Sequence, residues 1–219
     1  METLKVKLLK NGFPNRTTFV LGSTGSGKTV LIATLAAEKP RFILFDTRNE
    51  YDPDFFGNLV KVADNVSKLV EFLNAGDERI IFKLPSANEQ SDATLEAALA
   101  VIYQFQVLNA QNLPPITIIL DELNRFAETR NYPFHLQEIT QRGRDYGIEK
   151  LFGAQWFGTI PTWLRDSFSE IYVFRHNDPN GLKLLERFGF DADEIRSLPE
   201  HVCAHNGKNG VEKIRLTVD

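Results

Sequence analysis

Two groups of residues in this chain have the types and spacing that chemistry requires. The first is Gly22-Ser23-Thr24-Gly25-Ser26-Gly27-Lys28-Thr29, followed by Val30. Glycines at such positions let backbone N–H groups turn inward around phosphate oxygens. A helix that begins at the lysine adds the positive end of its dipole. In that arrangement Lys28 reaches the β- and γ-phosphates and the Thr29 hydroxyl ligates Mg²⁺. The second group is Asp121-Glu122, at the end of the apolar run Ile116 to Leu120. Asp121 is placed to hold Mg²⁺ through water, and Glu122 to polarise an attacking water as general base. Binding and hydrolysis of ATP with Mg²⁺ is the chemistry these groups would support together. A Gly-rich turn with an incidental lysine, and a strand end with ordinary solvated acids, are the plainer alternatives.

Other polar residues stand out by position. Gln155 puts an amide at the end of the apolar run Leu151 to Ala154, where it could sense a γ-phosphate, orient water or simply be a satisfied strand-end amide. The stretch 124–132 mixes Arg125 and Arg130 with two aromatics, a composition that could place both arginines on nucleic-acid phosphates or belong to a solvated loop. His135, His176, His201 and His205 show no metal-ligand spacing with Cys203, so Mg²⁺ is the only metal expected.

The elements that must position these groups read as alternating strands and helices. Strands are expected at Thr17 to Leu21, Arg41 to Phe45, Arg79 to Leu84, Ile116 to Leu120, Leu151 to Ala154 and Ile171 to Phe174. Helices are expected at Val30 to Ala37, Val66 to Asn74 with Asn65 as N-cap, a long one capped by Ser91, Phe134 to Tyr146 and Gly181 to Phe188. The tail alternates, and Asn206-Gly207 or Asn209-Gly210 would turn a closing hairpin. This order argues for an α/β fold with a central, mainly parallel sheet flanked by helices. One domain spanning residues 1–219 is expected, with a short N-terminal strand and a small C-terminal β-hairpin as additions.

Composition narrows the class. The chain has 219 residues, 42% of them hydrophobic, which suffices for a sizeable core. A net charge of -4 excludes coating nucleic acid by bulk charge but permits a grip through a few residues in a channel. A single cysteine excludes an intrachain disulfide and fits a reducing site of synthesis. Residues 1–11 lack the apolar run of a signal peptide, and no stretch approaches the length of a membrane span.

The acidic pair, with an extra strand and the long helix between it and the phosphate loop, resembles the additional-strand, catalytic-glutamate branch of P-loop NTPases. The stretch Arg142 to His176 is more specific. Arg144, Gly147, Gln155, Pro161 and Phe174-Arg175 resemble the FtsK–HerA superfamily of DNA-pumping ATPases, and Asp46, Glu50 and Tyr51 resemble the segment after the second strand of HerA-like members. That resemblance implies a RecA-like fold. It also implies an arginine finger that reaches the neighbouring subunit's nucleotide, at Arg144 with Arg142 as competitor. A finger in trans implies a homo-oligomeric ring, expected as a hexamer. Arg175 is left between a structural ion pair and a nucleotide contact. The economy of the chain is similar to that of the genome-packaging ATPases of tailless double-jelly-roll viruses. The implied function is pumping double-stranded DNA into a preformed capsid. The implied location is host cytoplasm during assembly and the virion vertex, with capsid-vertex or inner-membrane proteins as partners. Other FtsK–HerA-type pumps, phage morphogenesis or secretion ATPases, a slow nucleotide-switched scaffold and a small-molecule kinase are the rivals.

Overall fold

The computed structural model describes residues 16–57, 59–85, 89–127, 132–207 and 210–216. The expected N-terminal strand lies outside them. The chain begins with β1 (Thr17–Leu21), α1 (Lys28–Ala37), β2 (Phe42–Asp46), β3 (Val60–Ala63), α2 (Val66–Ala75) and β4 (Arg79–Lys83). It continues through α3 (Glu89–Asn109), β5 (Ile116–Leu120), α4 (Leu123–Phe126), α5 (Phe134–Arg142) and β6 (Ile148–Ala154). It ends with α6 (Thr162–Arg165), β7 (Glu170–Phe174), α7 (Pro179–Leu185), α8 (Ala192–Arg196), β8 (Val202–Gly207) and β9 (Gly210–Arg215).

The strands form one sheet in the order β3-β4-β2-β5-β6-β1-β7-β8-β9. Pairing is parallel from β3 to β7 and antiparallel where β8 and β9 close the edge as a hairpin. The central strands β1, β2, β5 and β6 are buried along their whole length; β2 and β5 accordingly read as nearly continuous apolar runs, whereas β6 carries Glu149-Lys150 near its start and only its second half, Leu151 to Ala154, reads as one. Alternate residues feed two cores. Phe19, Leu21, Ile43, Phe45 and Phe152 pack under α3 and α5, while Val20, Leu44, Ile119 and Leu151 pack with Leu31 and Ile32 of α1. Phe19 stacks on Phe168 with ring centroids 4.4 Å apart, tying β1 to the turn before β7.

Local signals explain several boundaries. The Asn65 side chain accepts the Lys68 N–H at 2.9 Å, the expected N-cap, and Gly76 closes α2 at φ 81. Ser91 is not a cap. The long helix already begins at Glu89, and the fully buried Ser91 hydroxyl instead accepts from Arg125 Nη2 at 2.6 Å. The expected helix from Phe134 stops at Arg142 and tightens into a 3₁₀ turn, Gly143–Tyr146, before β6.

Several charged residues are buried in this scaffold, and one of them is a lysine in the middle of the sheet. Lys150 of β6 is 1% exposed, and its Nζ finds no hydrogen-bond partner among the described residues. Burial pushes its pKa down to about 8, helped by the Arg144 charge and opposed by Glu149.

Candidate functional site

All the parallel strands end on one side of the sheet, and the residues with candidate chemistry gather there. β1 turns at Gly22, whose N–H donates to the Ala154 carbonyl at 3.1 Å, so the phosphate-type loop starts beside the end of β6. Gly25 (φ 79) and Gly27 (φ 102) adopt left-handed backbone, which a side chain would resist. Gly27 is also the N-cap of α1 and offers no side-chain cap, so the first N–H groups of that helix are left to an external acceptor. The buried Ser26 hydroxyl is likewise without a partner among the described residues. These features fit a bound polyphosphate.

Lys28 is 5% exposed and lies between the two acids, 2.6 Å from Asp121 Oδ1 and 3.6 Å from Glu122 Oε1. The Thr29 hydroxyl is 3.3 Å from Asp121 Oδ2, so the two expected Mg²⁺ holders stand together. Gly153 makes the close approach of Asp121 to β6 possible: a Cβ there would lie 2.3 Å from Asp121 Oδ1. Glu122 occupies left-handed backbone at φ 61, a strained conformation for a non-glycine residue that often marks a site of function. Gln155 Nε2 donates to both oxygens of the Glu122 carboxylate at 3.0 Å, which orients that carboxylate.

Several contributors were not singled out as site residues in the sequence. The Asp46 carboxylate at the end of β2 accepts N–H groups of Arg48, Glu50 and Tyr51 and shapes the segment that walls the site. From it Tyr51 donates its hydroxyl to Asp121 Oδ2 at 2.9 Å, and Arg48 Nη2 stands 3.4 Å from Glu122 Oε2. Burial first, then the Asp121 charge, raises the Tyr51 pKa far above its ordinary value, so the phenol keeps the proton it donates to Asp121. Asn124 Oδ1 accepts the N–H groups of Gln155 and Trp156 at 2.7 and 3.0 Å and fixes the end of β6. The Asp46…Glu50-Tyr51 spacing was the only sequence signal for any of these.

The arginines divide. Arg144 lies before β6, at the opposite edge of the sheet from the phosphate-type loop. The seven residues of β6 separate them by about 20 Å. Arg144 therefore cannot serve the loop of its own chain. Arg142 is also at that edge, exposed and 3.4 Å from Glu138 one helical turn back. Arg175 is half exposed, 3.8 Å from Glu200, and lines a small cavity with Ser23 to Ser26, so the structure brings it close to both of its expected roles. Arg125 does not lie on an open loop. It sits on α4, half-buried, held by Ser91 and lying 4.7 Å from the Phe126 ring centroid. Arg130 lies outside the described residues.

Among the described residues no helix is long and apolar enough to cross a membrane. No curated protein sequence matches the chain. Solved structures do. The genome packaging NTPase B204 of Sulfolobus turreted icosahedral virus 2, in complex with AMPPCP, is 17% identical, with 94% of this chain and 100% of that chain covered and a TM-score of 0.71. B204 of Sulfolobus turreted icosahedral virus, its DNA-packaging ATPase, is 18% identical over 93% and 99% of the two chains, at a TM-score of 0.68. The bacterial plasmid coupling protein TrwB, in complex with ADP and Mg²⁺, is 13% identical over 94% of this chain and 86% of that chain, at a TM-score of 0.67. These likenesses establish the expected RecA-like P-loop NTPase fold. Residues 1–141 match the model of the central domain of helicase HerA, and the chain accordingly belongs to that family, as the FtsK–HerA resemblance of its motifs led one to expect.

Proposed function

We propose that this protein is an ATP-hydrolysing motor that moves double-stranded DNA, and that the DNA is a viral genome entering a preformed capsid. The observation that carries the hydrolytic part is the oriented Glu122 carboxylate, gripped by Gln155 at 3.0 Å and standing beside Lys28. Backbone N–H groups of the loop and Lys28 hold the β- and γ-phosphates. Thr29 and Asp121 hold Mg²⁺, which neutralises developing charge when bound. Glu122 accepts a proton from the attacking water, and Gln155 keeps the carboxylate aimed. Arg144 reaches the nucleotide of the next subunit in a ring. A role in packaging is supported by mutual coverage: this chain and the viral B204 structures overlap almost end to end.

A pump that accepts any sequence must grip phosphates and ignore base edges, so its grip weakens with salt. The test is the ATPase rate against duplexes of unrelated sequence at low and moderate salt. Sequence-independent stimulation that fades with salt is expected. No response to duplex DNA at any salt would reject an autonomous DNA motor, and the same assay with empty capsids would then identify a capsid-activated one.

A further inference from the structure

The cavity over the phosphate-type loop, about 260 Å³, has two chemically different ends. On the β6–β5 side of β1 it is lined by Glu122, with Arg48 and Glu50 beyond. On the β7–β8–β9 side it is lined by His201 and Leu216. A nucleoside triphosphate whose terminal phosphate faces Glu122 must direct its nucleoside toward the second end. Both residues there crowd Gly27. A Cβ on that glycine would meet Leu216 Cδ1 at 3.1 Å and His201 Nδ1 at 3.4 Å.

His201 is held in an unusual way. Its backbone is left-handed at φ 57, a region that histidine, like asparagine and aspartate, enters more readily than other non-glycine residues. Its carbonyl accepts the Leu216 N–H at 2.9 Å, which carries the β8–β9 ladder one step further and sets the two residues side by side. Its side chain is exposed, and its ring makes no hydrogen bond to any described residue. An exposed aromatic ring thus stands at the cavity mouth with an aliphatic side chain beside it. Nothing in the hydrolytic cluster uses either residue.

We propose that His201 and Leu216 form the nucleobase clamp of the site, the imidazole stacking on the face of a purine and Leu216 covering its edge. The proposal rests on the reading of the loop as a nucleotide site and assigns that site's second half. Stacking uses the ring face, which every base presents, so the clamp grips adenine and guanine alike.

The test is calorimetric binding of ADP, GDP and inorganic tripolyphosphate to the full chain. His201→Gly suits the left-handed backbone. It should raise the Kd of both nucleotides about tenfold, the size of one lost base stack, and leave tripolyphosphate unchanged. His201→Phe should restore most of the nucleotide affinity, and Leu216→Ser should weaken nucleotides alone, by a few-fold. Unchanged ADP affinity in His201→Gly, a loss confined to one purine, or an equal loss of tripolyphosphate would overturn the clamp. Wild-type protein that binds none of the three ligands, or Lys28→Ala that binds tripolyphosphate normally, would overturn the phosphate site itself and the clamp with it.

Discussion

Arg144→Ala gives the sharpest test of the proposal that two subunits share one reaction. Arg144 stands about 20 Å from its own phosphate-type loop, the length of β6, whereas an extended arginine side chain spans about 7 Å. Any contribution to hydrolysis must therefore be made to a neighbour. Loss of such a finger costs on the order of 10³-fold in turnover while ATP still binds. Lys28→Ala removes the phosphate grip instead. A ring assembled at random from equal amounts of the two variants pairs an intact loop with an intact arginine at about a quarter of its interfaces, whatever the ring size. ATPase activity near a quarter of the wild-type value should thus return on mixing two inactive proteins. Arg142→Ala tests the competing arginine: loss of turnover there, with Arg144→Ala active, would move the finger to Arg142. An active Arg144→Ala protein would refute the reasoning. So would a mixture that stays inactive although the two variants co-assemble.

The remaining predictions concern the acids, their support and the buried lysine. Glu122→Gln should bind ATP yet turn over roughly 10²-fold more slowly, as expected for loss of a general base; Asp121→Asn should instead raise the Mg²⁺ concentration needed for half-maximal rate. Tyr51→Phe removes the donor to Asp121 and should raise the same Mg²⁺ requirement about tenfold with little change in the maximal rate, measured by Mg²⁺ titration of ATPase activity. Lys150→Met should stabilise the fold by about 3 kcal/mol at pH 7, the free-energy equivalent of a pKa lowered from 10.5 to about 8. The sign follows from proton counting. Below pH 8 both states carry the proton and the folded state bears the cost of a buried charge. Between 8 and 10.5 only the unfolded chain stays protonated, so wild-type stability rises with pH. The advantage of Lys150→Met should therefore vanish by about pH 10.5 in urea unfolding; a difference independent of pH would reject the buried-charge account.

The parts of this molecule that read directly from sequence are those governed by local rules. Strands such as Ile116–Leu120 are buried on both faces and so carry apolar side chains at all but one position, Thr117. The glycines of the phosphate-type loop announce their turn, and the Asn65 cap obeys a three-residue rule. β3 leaves no signal in the sequence because Val60–Ala63 is a short edge strand with a lysine in it, too brief to show a period. Ser91 has the look of a cap because local rules cannot foresee an arginine arriving from 34 residues away. The site divided in the same way. Lys28, Thr29, Asp121, Glu122 and Gln155 sit at strand ends or in the loop, where position alone singles them out. Tyr51, Asn124, His201 and Leu216 enter through sheet order, since only the succession β2-β5-β6-β1-β7-β8-β9 brings their segments around the same loop.

The placement of β6 bears on how a ring of such subunits would keep time. One end of the strand leads into Gln155, which holds Glu122; the other follows the turn that carries Arg144. Between them the strand is hydrogen-bonded to β5 on one side and β1 on the other, with both faces buried, so it has no freedom to buckle. On the proposed mechanism, a shift at the Gln155 end when the γ-phosphate departs would be carried to the Arg144 end by β6 moving together with the strands bonded to it. Each subunit would register its own product state and, through the same seven residues, advance or withdraw the arginine offered next door. Firing would pass around the ring in one rotational sense, because the acceptor of the signal is always the neighbour on the Arg144 side.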